Sequence, residues 1–378
     1  MEIEPRGAQL KVMALDPEGH VVVLGTAGSG KTTMAHKLAE LRSNLQGKPN
    51  VLVLTFNRAL VAYMNAIKSF EHGVIVENFH HFCLGYLKSS GKNVDNVVIP
   101  KELKEAIIAN IVSEKHSQYP DESTFLRPAN TFIEEIEFLE SFGVDSLEQY
   151  ISMERIGRAG TYISRENRHW FYEVYEEYKD RRAKQGYLYD WDDLAIAVYN
   201  TLLEDERPRR YKHIIVDEGQ DFSPMMLKAL VKAIPSDGSF TFFGDIAQQI
   251  YGNSLSWKAS GIEIKKIWKF EYNYRNPKEI ALFAQDVLKH PKWERKGEEY
   301  VTASLEVPAA GIKPTLVKYH DANEEIAEIV KLLKNRGGRN VVIVQTRQQV
   351  SQFLTALHNS GISANEIKKD KSSSIKDG

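Results

Sequence analysis

Val21-Val22-Val23-Leu24-Gly25-Thr26-Ala27-Gly28-Ser29-Gly30-Lys31-Thr32-Thr33 is the stretch whose reading decides the fold. Four apolar, mostly β-branched residues predict a buried parallel strand, and they run into a glycine-rich turn followed by a helix-forming segment, Met34 to Leu41. The spacing of Gly25, Gly30, Lys31 and Thr32 satisfies GxxxxGK[ST], in which glycines allow the backbone to approach a phosphate and aim successive N–H groups at its oxygens. The helix N-terminus adds partial positive charge, Lys31 is placed to reach the β- and γ-phosphates, and the Thr32 hydroxyl is placed to ligate Mg²⁺. A strand before the loop and a helix after it favour a nucleotide cradle over a chance Gly/Ser surface loop.

Working outward, His213 to Val216 predict a second buried strand that ends in Asp217-Glu218-Gly219-Gln220-Asp221. A hydrophobic strand finishing in adjacent carboxylates supplies what a phosphate cradle needs opposite it. Asp217 is the candidate to hold Mg²⁺, and Glu218 to orient or deprotonate the attacking water. Phe240 to Phe243 predict a neighbouring strand ending in Gly244-Asp245, and Val51 to Phe56 another ending at Asn57-Arg58. Val74 to Val76 lead into Glu77-Asn78-Phe79-His80-His81-Phe82-Cys83. The paired histidines invite a metal reading, but no third ligand stands nearby at suitable spacing, and aromatics interleaved with His and Asn at a strand end suit base stacking.

Length and composition bound the rest. At 378 residues the chain is long enough for two or three domains. With 49 basic against 51 acidic residues there is no global nucleic-acid signature, so any such surface is local. The single cysteine excludes an internal disulfide framework and a multi-cysteine zinc site. No run of 18 apolar residues is present, the N-terminus has no apolar signal core, and the expected compartment is a reducing cytoplasm with no membrane partner. Between residues 86 and 189 the pattern turns helical: 101–116 and 131–142 carry apolar stripes, and a third helix from about Glu166 ends in Lys179, Arg181, Arg182 and Lys184. That basic end reads either as a complement to the helix dipole or as a binding patch. Farther on, Pro314 to Tyr319 and Val341 to Gln345 are strand-like, with an amphipathic helix over 324–333 between them.

In family order the chain carries the Gln9 motif, GTAGSGKTT, LTFNRAL, ENFHHFC, VDEGQDFSP, GDIAQQIYG and FEYNYRNPKEI. It thereby resembles a UvrD/Rep-type superfamily 1 helicase from Gln9 to Ile280. The resemblance implies that Gln9 reads adenine, that Gln220 and Gln248 couple nucleotide state to a DNA surface, that Tyr274 stacks on the base and that Arg275 touches the γ-phosphate. Gly25, Thr26, Ala27, Gly28, Ser29, Gly30, Lys31, Thr32 and Thr33 form the cradle. Thr55, Phe56, Asn57, Asn78, Phe79, His80 and Tyr251 are implied to grip single-stranded DNA. Two departures stand out. Many relatives have Arg where this chain has Thr33, and Trp257, after a Gly252-to-Ser256 spacer, is either a stacking wedge or a core residue.

The expected architecture is an α/β P-loop NTPase. It comprises a RecA-like ATP-binding lobe (1–85 and 190–263), a helical insertion (86–189) and an incomplete second RecA-like lobe (264–378). The family's final blocks are missing, so either a piece of a longer protein or a naturally shortened one is expected, the former being favoured. The expected activity is ATP- and Mg²⁺-dependent translocation on single-stranded or partial-duplex DNA with unwinding. The alternatives are a nucleotide-dependent DNA-binding switch and an RNA-directed translocase, since stacking on bases does not sense the 2′-OH.

Overall fold

The computed structural model describes residues 4–44, 50–56, 61, 73–155, 161–245, 257, 259–289, 301, 304, 311–336 and 338–366. Six strands build one sheet: β1 (Gly19–Gly25), β2 (Val51–Thr55), β3 (Val74–Asn78), β4 (His213–Asp217), β5 (Ser239–Gly244) and β6 (Ile267–Phe270). Their spatial order is β3-β2-β4-β5-β1-β6, and every pairing is parallel. Runs such as VLVL and IIV suit this position because both faces of a parallel sheet are covered, so β2, β4 and β5 are buried along their whole length.

One face of the sheet is covered by α1 (Ala8–Met13) and α2 (Lys31–Asn44), whose Val12, Met34, Ala35 and Leu38 pack with Val23, Val53 and Ile215. The other carries α3 (Phe79–Ser89), α8 (Leu194–Glu204) and α9 (Pro224–Lys232), packed on Val22, Leu52, Ile214 and Phe242. All six strands point the same way, so the tips of β1, β2, β4 and β5 lie along one edge. The registers Thr55↔Asp217 and Leu24↔Gly244 put cradle, acids and polar tips side by side.

The helical insertion consists of α4 (Lys101–Gln118), α5 (Ala129–Phe142), α6 (Leu147–Ser152) and α7 (Arg168–Lys184) around a separate core of Ile108, Ile111, Phe132, Ile136, Phe171 and Val174. Its entry and exit are tied together: Ile99 N–H donates to Tyr189 O and Tyr189 N–H to Val97 O. The expected entry at residue 86 falls inside α3, which runs on to Ser89.

A larger correction concerns the boundary at 263. Ile267–Phe270 pair in parallel with Val22–Gly25, so β6 completes the first sheet, and the chain divides into compact units at 1–311 and 312–378. In the first unit α10 (Lys278–Leu288) follows β6. The second contains α11 (Ala322–Asn335), capped by Asp321, and α12 (Arg347–Asn359), opened by a Thr346–Gln349 capping box. The expected strands at 314–319 and 341–345 make no ladder among the described residues. Among those residues no helix is long and apolar enough to cross a membrane.

Candidate nucleotide site and strand-tip surface

The cradle closes the C-terminal end of β1. Gly28 has φ of +77°, and a Cβ there would lie 2.5 Å from Asn273 Oδ1, so only glycine fits between the loop and the chain after β6. Lys31, the first residue of α2, folds back on the loop and donates to Gly25 O (2.9 Å) and Thr26 O (3.0 Å), with Asp245 Oδ2 3.9 Å away. Thr32 and Thr33 follow on the first turn, half-buried, and Ala27 is exposed at the loop tip. The hydroxyls of Thr26 and Ser29 are buried without a hydrogen-bond partner among the described residues.

Asp217, at the tip of β4, is fully buried, and neither carboxylate oxygen has a partner of ordinary hydrogen-bond geometry among the described residues. Burial and then the neighbouring Glu218 push its carboxyl up to about 7, with Thr32 and Lys31 pulling the other way. Two partnerless carboxylate oxygens beside a threonine hydroxyl suit a hard divalent cation, which takes oxygen ligands. Partnerless hydroxyls in the loop next to them suit a phosphate. The residues present therefore fit an ATP–Mg²⁺ complex.

Glu218 adopts a left-handed backbone, φ 51° and ψ 43°, uncommon for a residue with a side chain and concentrated at functional sites. Its Oε2 accepts from Gln220 Nε2 (2.7 Å), while Gln220 Oε1 accepts the Asp245 N–H (2.9 Å). Gln220 thus links the acid after β4 to the tip of β5. Gln248, the expected second coupling residue, lies outside the described residues.

The segment after β6 docks on the cradle. Tyr274 N–H donates to Gly28 O (2.9 Å), and the buried Asn273 uses Oδ1 to accept the N–H groups of Arg275 (3.0 Å) and Asn276 (2.9 Å), which leaves the Arg275 side chain exposed beside the loop. A cavity of about 420 Å³ opens next to it, lined among others by Arg6, Gln9, Ser29, Tyr272 and Tyr274. The Tyr272 and Tyr274 rings stand 4.6 Å apart, and Gln9 is clamped by Arg6 N–H and by its own bond to Ser29 O (3.0 Å). Gln9, Tyr274 and Arg275, expected from resemblance alone, are thus brought to the cradle. Asn273 and Tyr272 were missed. The only sequence signal for Asn273 is the Asn itself, a residue whose side-chain oxygen readily accepts the backbone N–H two residues on in an Asx turn.

The strand-tip aromatics divide. Phe79 is fully buried against Phe222 (5.8 Å) and Phe82, so it offers no ring face to a base, which corrects the expectation that it stacks. Asn78 accepts the His81 N–H as the N-cap of α3, and the helix starting there turns Phe79 inward and His80 outward. Thr55 is buried at the tip of β2, beside Asp217 in the register of the sheet. Phe56 and His80 are half-buried, 5.8 Å apart, and His80 meets the edge of Trp191 at 5.1 Å. Trp191, 40% exposed, was not singled out from sequence because an isolated aromatic in an acidic Asp-Trp-Asp-Asp run carries no periodic signal. Asn57 and Tyr251 lie outside the described residues. Trp257 is half-buried, edge-on to Phe242 at 5.0 Å, which places it against the core. The basic end of α7 is paired throughout: Lys179 with Glu176, Arg181 with Glu114 and Glu177, Arg182 with Asp190 and Asp193, Lys184 with Asp180. That favours the structural reading of the cluster over a binding patch.

A parallel sheet whose first strand opens into this cradle, faced by an Asp-Glu pair at the tip of β4, defines a P-loop NTPase domain of the RecA-like kind. The chain belongs to the UvrD/REP helicase N-terminal domain family, which matches residues 6–274. It is 25% identical to YjcD of Bacillus subtilis over 87% of this chain and 43% of that protein. It is 24% identical to DNA helicase II of Haemophilus influenzae over 85% of this chain and 45% of that protein, and 26% identical to the ATP-dependent DNA helicase srs2 of Schizosaccharomyces pombe over 75% and 34%. The chain thus spans less than half the length of these relatives.

Proposed function

We propose that this chain binds ATP with Mg²⁺ at the cradle, hydrolyses it, and uses the cycle to move along single-stranded DNA, as the ATP-binding part of a DNA helicase. The observation that carries the reading is that four oxygens of the loop and of the tip of β4, Thr26 Oγ1, Ser29 Oγ and both carboxylate oxygens of Asp217, are buried and have no hydrogen-bond partner of ordinary geometry among the described residues. Leaving such groups unpaired costs about 1–3 kcal/mol each, a cost that a bound phosphate and cation would remove. Thr32 and Asp217 would hold Mg²⁺, which when bound would neutralise charge developing on the phosphate oxygens. On nucleotide arrival Lys31 exchanges its two carbonyl partners for phosphate, Arg275 adds positive charge from the other side of the loop, and Glu218 takes a proton from the attacking water. Gln9 and the Tyr272–Tyr274 pair line the space suited to an adenine. The half-buried Phe56 and His80 with the exposed Trp191 form the aromatic surface suited to unstacked bases.

The test is ATP hydrolysis measured with and without oligodeoxythymidylate or oligouridylate, with Lys31→Ala followed by calorimetry. DNA-stimulated turnover in the parent and no measurable ATP binding in Lys31→Ala support the reading. Equal ATP affinity in the variant overturns the site, and stimulation by RNA alone transfers the track to an RNA-directed motor.

A further inference from the structure

The helical insertion rejoins the sheet domain at the turn that carries Trp191, and a cluster of buried charges surrounds that turn. Lys104 on α4 holds its ammonium 2.8 Å from Asp190 Oδ2, 2.9 Å from Asp192 Oδ2 and 3.2 Å from Glu140 Oε2 on α5. Arg182, in the last turn of α7, reaches Asp193 Oδ2 at 2.6 Å and Asp190 Oδ2 at 3.3 Å and donates to Leu188 O; the Tyr178 hydroxyl donates to Asp190 Oδ2 at 2.8 Å. Inside the turn, Asp190 Oδ1 accepts the N–H groups of Asp192 and Asp193, and Asp193 Oδ1 accepts that of Asp190. Oxygens of Glu140, Asp190 and Asp192 lie within 4.8 Å of one another, but the Lys104 ammonium already stands among them, so the cluster is a structural clamp and not a metal site. Within this turn Trp191 is the one side chain outside the charge network, directed to solvent and to His80.

We propose that Lys104, with Arg182, is a positioning residue for single-stranded DNA, holding the Asp190–Asp193 turn in the conformation that presents Trp191 beside His80. The inference rests on the reading that this aromatic surface meets DNA. Without the ammonium, the buried Glu140 would face Asp190 and Asp192 with only Arg182, on the far side of Asp190, to offset them, and removing one partner of a buried ionic cluster is strongly destabilising locally. The turn relieves that by opening toward water and carrying the indole away from His80. A residue 87 positions earlier in the chain thereby sets the geometry of a stacking platform.

The experiment is a double-mutant cycle on binding of a fluorescein-labelled oligodeoxythymidylate, read by anisotropy for the parent, Trp191→Ala, Lys104→Met and the double variant. Trp191→Ala is expected to weaken binding about 5- to 150-fold, the value of one stacked base. Lys104→Met is expected to weaken it by a comparable factor, to leave the salt slope unchanged because its ammonium is buried away from any phosphate, and to add nothing in the double variant. Losses that multiply, or a Lys104→Met protein that binds like the parent, overturn the proposal while leaving the DNA surface standing. A Trp191→Ala protein that binds like the parent overturns the DNA surface itself. If Lys104→Met fails to fold, shown by loss of nucleotide binding at the cradle, Asp192→Asn at the half-exposed rim of the cluster goes through the same cycle. A several-fold loss that does not multiply with Trp191→Ala supports the proposal, and either of the same two results overturns it.

Discussion

Glu218 holds its carboxylate from a left-handed backbone, tethered by Gln220, so both its place and its partner are set before nucleotide arrives. Replacing it with Gln keeps the shape and removes the base. Glu218→Gln is expected to lower turnover by about 10²–10⁴-fold while ATP affinity stays near the parent's, checked by single-turnover hydrolysis beside calorimetry. A second residue governs acid stability. His213, fully buried at the start of β4, has Nδ1 2.9 Å from Ser239 Oγ, while Nε2 has no partner among the described residues. Burial, then Arg42 and Lys212, lowers its pKa from 6.5 to about 4. Between those values the unfolded chain binds more protons than the folded one, so stability falls as pH drops through that window, by up to about 3 kcal/mol. Urea midpoints from pH 7 to pH 4 should show this slope, and a His213→Gln variant should lose that part of it. The placement of Lys31, Asp217 and Glu218 at the loop and the tip of β4 was legible in the sequence because it follows from contiguous spacing. Trp191 was not, because it meets His80 far away in the chain, and Asn273 was not, because its local bonds to Arg275 and Asn276 gain meaning only where that turn packs on Gly28.

Single elements explain where pattern reading succeeded and failed. β1, β2, β4 and β5 are apolar almost throughout, the mark of central parallel strands, and were readable as such. β6 is four residues at the sheet edge with Lys269 in its middle, and only its pairing with β1 assigns it to the first sheet. Phe79 was expected at a strand end, but Asn78 caps a helix, so Phe79, Phe82, Cys83 and Leu87 follow helical spacing into the core. The connection after β6 carries its own test. Asn273 Oδ1 satisfies two backbone N–H groups that aim Arg275 at the loop, and losing it leaves both unpaired at about 1–2 kcal/mol. Asn273→Ala is expected to cut turnover at least tenfold with a smaller loss of ATP affinity, measured as kcat against Kd, since the Tyr274 N–H to Gly28 O bond survives it.

Across the whole molecule, protection from solvent is uneven. The sheet of the first unit is closed on both faces, whereas in the second unit Ile312, Leu316, Val341 and Ile343 are largely exposed in segments without ladder bonds among the described residues. Hydrogen exchange on the 378-residue chain should find the amides of β2, β4 and β5 exchanging slowest. Those of 312–319 and 339–344 should exchange within the earliest time points. Slow exchange in the latter would show that they are paired in solution. Thermal resilience is likewise a property of the entire chain, and the backbone at Glu218 sets it against catalysis. A left-handed residue with a side chain costs about 1 kcal/mol relative to glycine. A library screened only for heat resistance should therefore enrich Gly at 218, each such clone melting later than the parent and turning over ATP far more slowly; a directed search for robustness, run blind to activity, would discard the proposed base at a left-handed position that a side chain makes costly.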